Sequence, residues 1–340
     1  MAQKIIVTGG AGYIGSHTCV SLIESGFDVV VFDNLSNSNS ASLDGVARIT
    51  GTRPEFVMVD CTDSVALRAA FSAHSDAVGV IHFAALKAVG ESVANPLLYY
   101  RNNLGGLINV LDFMREFDIP NIVFSSSATV YGVPDTLPVT EQTPLQPATS
   151  PYGQTKVMGE NIIRDTVHAY PQMRATLLRY FNPIGAHPSA HIGELPNGVP
   201  NNLMPYITQT AAGIRECLSV FGDDYDTPDG YCVRDYIDVN DLARAHVAAV
   251  RHMLSGADGV GVFNLGTGRG SSVMELLNAF RDATGVDVPY RIAARRAGDV
   301  PAIWANADLA SRVLGWRAVV PLNETLASAW RWQCRFSDIK

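Results

Sequence analysis

A chain of 340 residues, 47% hydrophobic and 17% charged, is long enough for a sizeable core and, at roughly 150 residues per domain, for two domains. Its net charge of -8 excludes a broad phosphate-tracking surface for nucleic acid, although one or two local arginines can still hold a small anion. No run approaches the ~20 apolar residues of a membrane span, MAQKIIVTGG enters a strand pattern without a leader, and the five scattered cysteines (Cys19, Cys61, Cys217, Cys232, Cys334) make no CxxC or metal-like pair. The expectation is a cytoplasmic protein with reduced, mostly buried thiols and no metal site.

Along the chain, apolar β-branched runs predict strands at 4–9, 28–33, 55–60, 78–83, 121–127 and 174–181. Helix-length spacers separate them, among them 13–26, 63–74, 96–117 and 152–169. That alternation predicts an α/β fold, a Rossmann-type doubly wound parallel sheet with helices on both faces and ligands at the carboxyl ends of its strands. After Phe181 the sequence turns loop-rich, then offers a helix at about 203–214. YIDVNDLARAHVAAV, read as strand then helix, and the strand GVFNLG are both expected to rejoin the first sheet. The domain reading is 1–182 with 237–266 as the cofactor-binding unit, and 183–236 with 267–340 as a smaller mixed α/β substrate unit. No internal repeat or low-complexity linker separates them.

TGGAGYIG (8–15) follows a strand and opens a helix. It reads as GxGxxG with Gly10, Gly12 and Gly15, or as GxxGxxG with Gly9, Gly12 and Gly15; either register permits close approach of backbone to a pyrophosphate at a helix N-terminus. Asp33 ends the second strand, where a carboxylate accepts hydrogen bonds from an adenosine ribose and disfavours a 2′-phosphate, so the cofactor implied is NAD. Asp60 ends the third strand. It suits an adenine contact and, equally, a helix N-cap, since CTDS follows.

SPYGQTK (150–156) begins a predicted helix, with Ser150 as cap and Pro151 in the first turn. Tyr152 and Lys156, four apart, share one helical face. A tyrosine is a poor base at a pKa of about 10, and bringing it near ~7 takes about 4 kcal/mol. One ammonium at about 4 Å contributes energy of that order at an effective dielectric of ~20. SSSATVYG (125–132) ends the preceding strand, and Ser127 there is placed to orient or relay a sugar hydroxyl proton; a turn or capping role is its bland alternative.

These segments, with FDNLSNS, HFAALKAVGES, LRYFNPIGAHPS, NNLMPYI, VFGDDYDTPDG, VRDYIDV, NLGTGRG and RRAGDVPA, run nearly end to end. Through them the chain resembles the extended short-chain dehydrogenases/reductases and, within them, the UDP-glucose 4-epimerase family. The resemblance implies isomerisation of UDP-galactose and UDP-glucose. Oxidation at C4 by a tightly held NAD is followed by turning of the 4-keto sugar and return of the hydride. It also implies a homodimer, built on the helices at about 96–117 and 152–169.

By motif correspondence, Tyr152, Lys156 and Ser127 carry the catalysis. The NAD contacts implied are Gly9, Gly12, Tyr13, Ile14, Gly15, Asp33, Asn34, Asn37, Ser38, Asp60, Cys61, Phe83, Ala84, Lys87, Asn102, Ser125 and Tyr180, with Tyr152 and Lys156. For the UDP-sugar the resemblance implicates Lys87, Ser127, Tyr152, Asn182, Asn202, Leu203, Phe221, Arg234, Tyr236, Arg296, Asp299 and Ile303. Arg234 and Arg296 suit a diphosphate clamp and Asp299 a ribose acceptor. Arg295 reads as a surface charge.

Ile303 departs from the pattern, because strict hexose epimerases often carry a tyrosine at this position. The shorter side chain either admits the N-acetyl group of UDP-GlcNAc or UDP-GalNAc, or leaves volume that its neighbours fill. Two rival functions share the motifs. A nucleotide-sugar dehydratase or decarboxylase starts with the same oxidation, but Ala-Thr-Val-Tyr follows Ser127 where elimination calls for an added acid and base. A noncatalytic NAD-sensing protein would not need both Tyr152 and Lys156.

Overall fold

The structure, a computed structural model, describes residues 2–296 and 299–337. In β1 (Lys4–Thr8) alternate side chains enter opposite layers, Ile5 and Val7 one and Ile6 the other, all fully buried. The pattern repeats through β2 (Asp28–Asp33), β3 (Glu55–Met58), β4 (Ala77–His82), β5 (Asn121–Ser127) and β6 (Arg174–Tyr180). All six predicted strands form, with ends moved by no more than two residues. Between them lie α1 (Tyr13–Glu24), α2 (Ala41–Thr50) and α3 (Ser64–Ala73).

The helix predicted over 96–117 forms, with a π turn inside it. After α4 (Val89–Ala94), Pro96 starts the short α5 (Pro96–Tyr99), a π turn runs from Tyr100 to Leu104, and α6 (Gly105–Glu116) follows. The wider turn brings Asn103 inward. There its amide accepts from Leu86 N at 2.8 Å and donates to Leu86 O at 3.0 Å and Thr155 Oγ1 at 3.1 Å. A regular 3.6-residue pattern in the sequence carries no sign of this.

The remaining elements are α7 (Pro151–Ala169), β7 (Asn182–Ile184), α8 (Leu203–Ala211), β8 (Leu218–Phe221), β9 (Val233–Arg234), β10 (Tyr236–Asp238) and α9 (Val239–Leu254). They are followed by β11 (Val260–Leu265), β12 (Ser271–Ser272), α10 (Val273–Thr284), β13 (Tyr290–Ala293), β14 (Ala302–Ile303), α11 (Asp308–Leu314) and α12 (Leu322–Phe336). The main sheet has seven parallel strands in the order β11-β6-β5-β4-β1-β2-β3. GVFNLG thus joins it as β11, as expected. YIDV does not: β10 pairs with β7 in a separate two-stranded sheet, because Asn182 to Ile184 has already left the main sheet and offers it an edge.

One apolar layer, with Leu22, Leu43, Leu242 and Val250, fills the face under α1, α2 and α9; the other, with Leu67, Phe71, Val110 and Ile163, lies under α3, α6 and α7. A third core of Met204, Ile207, Leu276, Phe280 and Leu326 joins α8, α10 and α12. Ala310 and Trp316, assigned from sequence to the substrate unit, pack instead into the first layer, and Trp316 Nε1 donates to Asp241 O at 2.8 Å. Among the described residues no helix is long and apolar enough to cross a membrane.

Candidate active site

Strand order reverses between β1 and β4, and the crevice at their carboxyl ends is where a doubly wound sheet takes its ligand. There a cleft of about 520 Å³ is lined by every residue assigned above to the cofactor, and by Asn202. Gly9 has φ 72°, and a Cβ on it would lie 2.8 Å from Ala84 N; a Cβ on Gly15 would lie 2.4 Å from Gly9 O. Gly10 is pressed against Val31, where a Cβ would stand 2.8 Å from a side-chain methyl, and does not line the cleft. The cradle is therefore the Gly9, Gly12, Gly15 register. Helix α1 starts after Gly12 with neither a capping side chain nor an acid in its first turn, which leaves its N-terminal N–H groups for an anion.

Asp33 is buried and accepts from Ala11 N at 3.0 Å, Leu35 N at 2.9 Å and Ser38 Oγ at 2.8 Å. Asp60 accepts from Asn34 Nδ2 at 2.7 Å and from Thr62 N at 2.7 Å. Burial acts to raise its pKa, but the bonds from Thr62 and Asn34 win and hold the carboxyl below its usual value. The N-cap of α3 is Asp63, accepting from Val65 N and Ala66 N, so the capping alternative for Asp60 falls away. Close glycine turn, open helix end and oriented carboxylate together fit a dinucleotide of the NAD type.

At the other end of the cleft Ser150 caps α7, accepting from Gly153 N at 3.1 Å, and Pro151 is the first helical residue. Tyr152, Lys156 and Glu160 follow at intervals of four. Lys156 is 5% exposed, donates from Nζ to Ser125 O at 2.6 Å, and lies 5.0 Å from the Phe124 ring centre and 5.8 Å from that of Tyr152. Burial pushes the Tyr152 phenol up to about 12, with the Ser127 hydroxyl pulling the other way. Burial likewise brings Lys156 down to about 8, against the opposing charge of Glu160. The Lys156 ammonium is aimed at a backbone carbonyl and is itself desolvated. Ser127 has an extended backbone and also caps the short turn after β5, its Oγ accepting from Thr129 N at 3.2 Å. The capping role read from the sequence is therefore present.

The remaining sugar-side candidates lie outside the lining of that cleft, among the described residues. Arg296 donates to Asp299 at 2.7 Å and its guanidinium sits 5.8 Å from the Phe221 ring centre. Arg234 on β9 is paired in register with Ile303 on β14, and donates to Val233 O at 2.9 Å. Tyr236 is buried on β10, Asn182 opens β7, and Leu203 opens α8. Ile303 is 7% exposed and packs with Ala128, Tyr131, Phe181 and Ala305, so neighbours occupy part of the space beside it. Arg295 is an exposed charge, as read from the sequence; it pairs with Asp224 at 2.7 Å and covers the Tyr225 ring at 4.2 Å.

The model of the NAD dependent epimerase/dehydratase family matches residues 5–266. The chain belongs to that family. It is 55% identical to the UDP-glucose 4-epimerase of Bacillus subtilis (strain 168), over 97% of each chain. Its fold is similar to the crystal structure of the UDP-glucose 4-epimerase from Bifidobacterium longum in complex with NAD+ and UDP, at 46% identity and TM-score 0.96, covering 99% of this chain and 100% of that one. It is also similar to the UDP-Glc/GlcNAc 4-epimerase from Campylobacter jejuni, at 36% identity and TM-score 0.84, covering 98% and 100%.

Two supporting residues of this family member escaped the sequence reading. Glu160 is buried, accepts from Ser126 Oγ at 2.6 Å and pairs with buried Arg179 at 2.6 Å, which fixes the strand end beneath Lys156. Its signal was available, since it continues the spacing of four from Tyr152 and Lys156. Asn103 carried no such signal; only the π turn turns it inward.

Proposed function

We propose that this enzyme interconverts UDP-galactose and UDP-glucose by oxidation at C4, turning of the 4-keto sugar and reduction on its other face. The observation that supports the reading is a cleft lined both by Tyr152 and Lys156 and by a Gly9, Gly12, Gly15 turn of the NAD-cradle form, with the Ser127 hydroxyl acting on the Tyr152 phenol. NAD bound there supplies an acceptor and donor of hydride. Asp33 would hold its adenosine ribose, the Gly9 to Gly15 turn its diphosphate, and Lys156 its other ribose. Tyr152 takes the proton from the sugar 4-hydroxyl and gives it back, and Ser127 orients that hydroxyl. Arg234, Arg296 and Asp299 would receive the UDP moiety. Incubating the purified protein with UDP-galactose, without added cofactor, should yield UDP-glucose; a water-loss or decarboxylated product would instead support the dehydratase or decarboxylase reading.

The same reading extends to organisation. Residues 1–182 with 237–266 form the cofactor unit and the rest, apart from the α11 segment, the substrate unit. A homodimer across α5, α6 and α7 is supported by exposed Leu97, Leu98, Ile108 and Met158 on those helices. Sedimentation of wild type at twice the monomer mass, and of Ile108→Asp at the monomer mass, would be the expected result. A cytoplasmic location follows from the nucleotide-sugar substrate, and fractionation of cells checks it.

A further inference from the structure

Glu194 stands where the two groups of site residues meet. Its carboxylate is 11% exposed, and one oxygen, Oε1, accepts from Lys87 Nζ at 3.4 Å and from Asn202 Nδ2 at 2.5 Å. The backbone beneath it is fixed. Trp332 Nε1 donates to Glu194 O at 3.0 Å, and Gly193 lies so close to the Trp332 ring that a Cβ would stand 2.4 Å from it. The carboxylate therefore cannot withdraw from its two partners by a simple shift of the loop.

The partners differ in how firmly they are held. Lys87 is 48% exposed, and an ion pair of that exposure is weak enough to be given up to a stronger anion. Asn202 occupies the N-cap position of α8, where an asparagine ordinarily accepts from the first turn; here it makes no capping bond, and its amide is turned onto Glu194 instead. The helix has lost a cap and the cleft has gained an oriented amide.

We propose that Glu194 is a positioning residue that holds the Asn202 amide off the end of α8 for the sugar nucleotide, and that holds Lys87 until the cofactor diphosphate takes the ammonium. The inference rests on the reading of Lys87 and Asn202 given under the proposed function. Removing the charge while keeping the acceptor should favour the diphosphate, because Lys87 is then unneutralised and no carboxylate repels the phosphates. Removing the acceptor as well should release Asn202.

Two binding measurements on the holoenzyme test this without use of turnover. The first follows release of bound NAD after dilution; Glu194→Gln should slow it about 5-fold, a typical coupling between neighbouring sites. The second titrates UDP-glucose; Glu194→Ala should weaken binding about 5-fold, while Glu194→Gln, whose amide oxygen still accepts from Asn202, stays within about 2-fold of wild type. In a Lys87→Met background Glu194→Gln should no longer slow NAD release. Release from Glu194→Gln at or above the wild-type rate, slowing that persists without Lys87, or undiminished UDP-glucose binding by Glu194→Ala would each overturn the proposal. A wild-type protein that binds both ligands and forms no UDP-glucose from UDP-galactose would remove the proposed reaction and leave this inference standing.

Discussion

Lys156 and Tyr152 share one face of α7, yet the Lys156 ammonium donates to the Ser125 carbonyl at 2.6 Å and lies 5.8 Å from the centre of the Tyr152 ring. The protein's own groups leave the phenol protonated near neutrality, at about 12. Tyr152→Phe should lower turnover of UDP-galactose by about 10²- to 10⁴-fold, the usual worth of a positioned proton carrier, with UDP-glucose binding by titration nearly unchanged. A Phe variant with the wild-type rate would remove Tyr152 from the chemistry.

Lys156 gives a separate, thermodynamic signal. Burial lowers it from 10.5 to about 8, so between those values the unfolded chain binds more protons than the folded one. Stability contributed by this group therefore rises with pH through that window and is absent below it. The difference in urea unfolding free energy between wild type and Lys156→Met should grow with pH there, by up to about 1.4 kcal/mol per unit. A flat difference from pH 8 upward would contradict the burial assigned to this ammonium.

Gly15→Ala places a methyl 2.4 Å from Gly9 O and 2.7 Å from Gly10 Cα, both backbone atoms. The cradle must open, at a cost of about 1–3 kcal/mol. The purified variant should melt lower and carry less than a tenth of the bound NAD of wild type. Gly105→Ala, with nothing within 4 Å of its Cβ, is the matched control and should lose neither. Equal NAD content in the two variants would mean that the Gly9 to Gly15 turn does not form the diphosphate site.

Ile303 tests substrate breadth. It shares an apolar cluster with Ala128 and Tyr131 just beyond Ser127, and under the proposed function its size would bear on the sugar end of the site. Wild type should turn over UDP-GalNAc, and Ile303→Tyr should cut that rate at least 10-fold while changing UDP-galactose turnover much less, in keeping with the 1–3 kcal/mol that a filled apolar pocket discriminates. Negligible N-acetyl turnover in both proteins would show that the neighbours of Ile303 already fill the volume.

The cofactor half of this site was legible because its signals are local. The Gly9 to Gly15 turn, Asp33 at a strand end, and Tyr152 with Lys156 at helical spacing each need only a few neighbouring residues to be recognised. What stayed hidden depends on chain partners far away in sequence. YIDV reads as a sheet strand, yet its edge partner is Asn182 to Ile184; Ala310 and Trp316 look like substrate-unit residues until they meet α9. The spacing of Lys156 reports its proximity to Tyr152 along a helix and not the direction of its ammonium, which the Ser125 carbonyl sets. Glu194 lay in a loop whose composition carried no role, and its function depends on contacts at Lys87 and Trp332, more than one hundred residues away on either side.

The π turn has one further consequence. Asn103 binds both backbone groups of Leu86 and the hydroxyl of Thr155, so the strand exit that bears Lys87 and the helix that bears Tyr152 share a single rivet. The relative placement of Lys87 and Tyr152 is thus inherited from the fold. The geometry of the site is in that sense vulnerable at an amide that does not line the cleft.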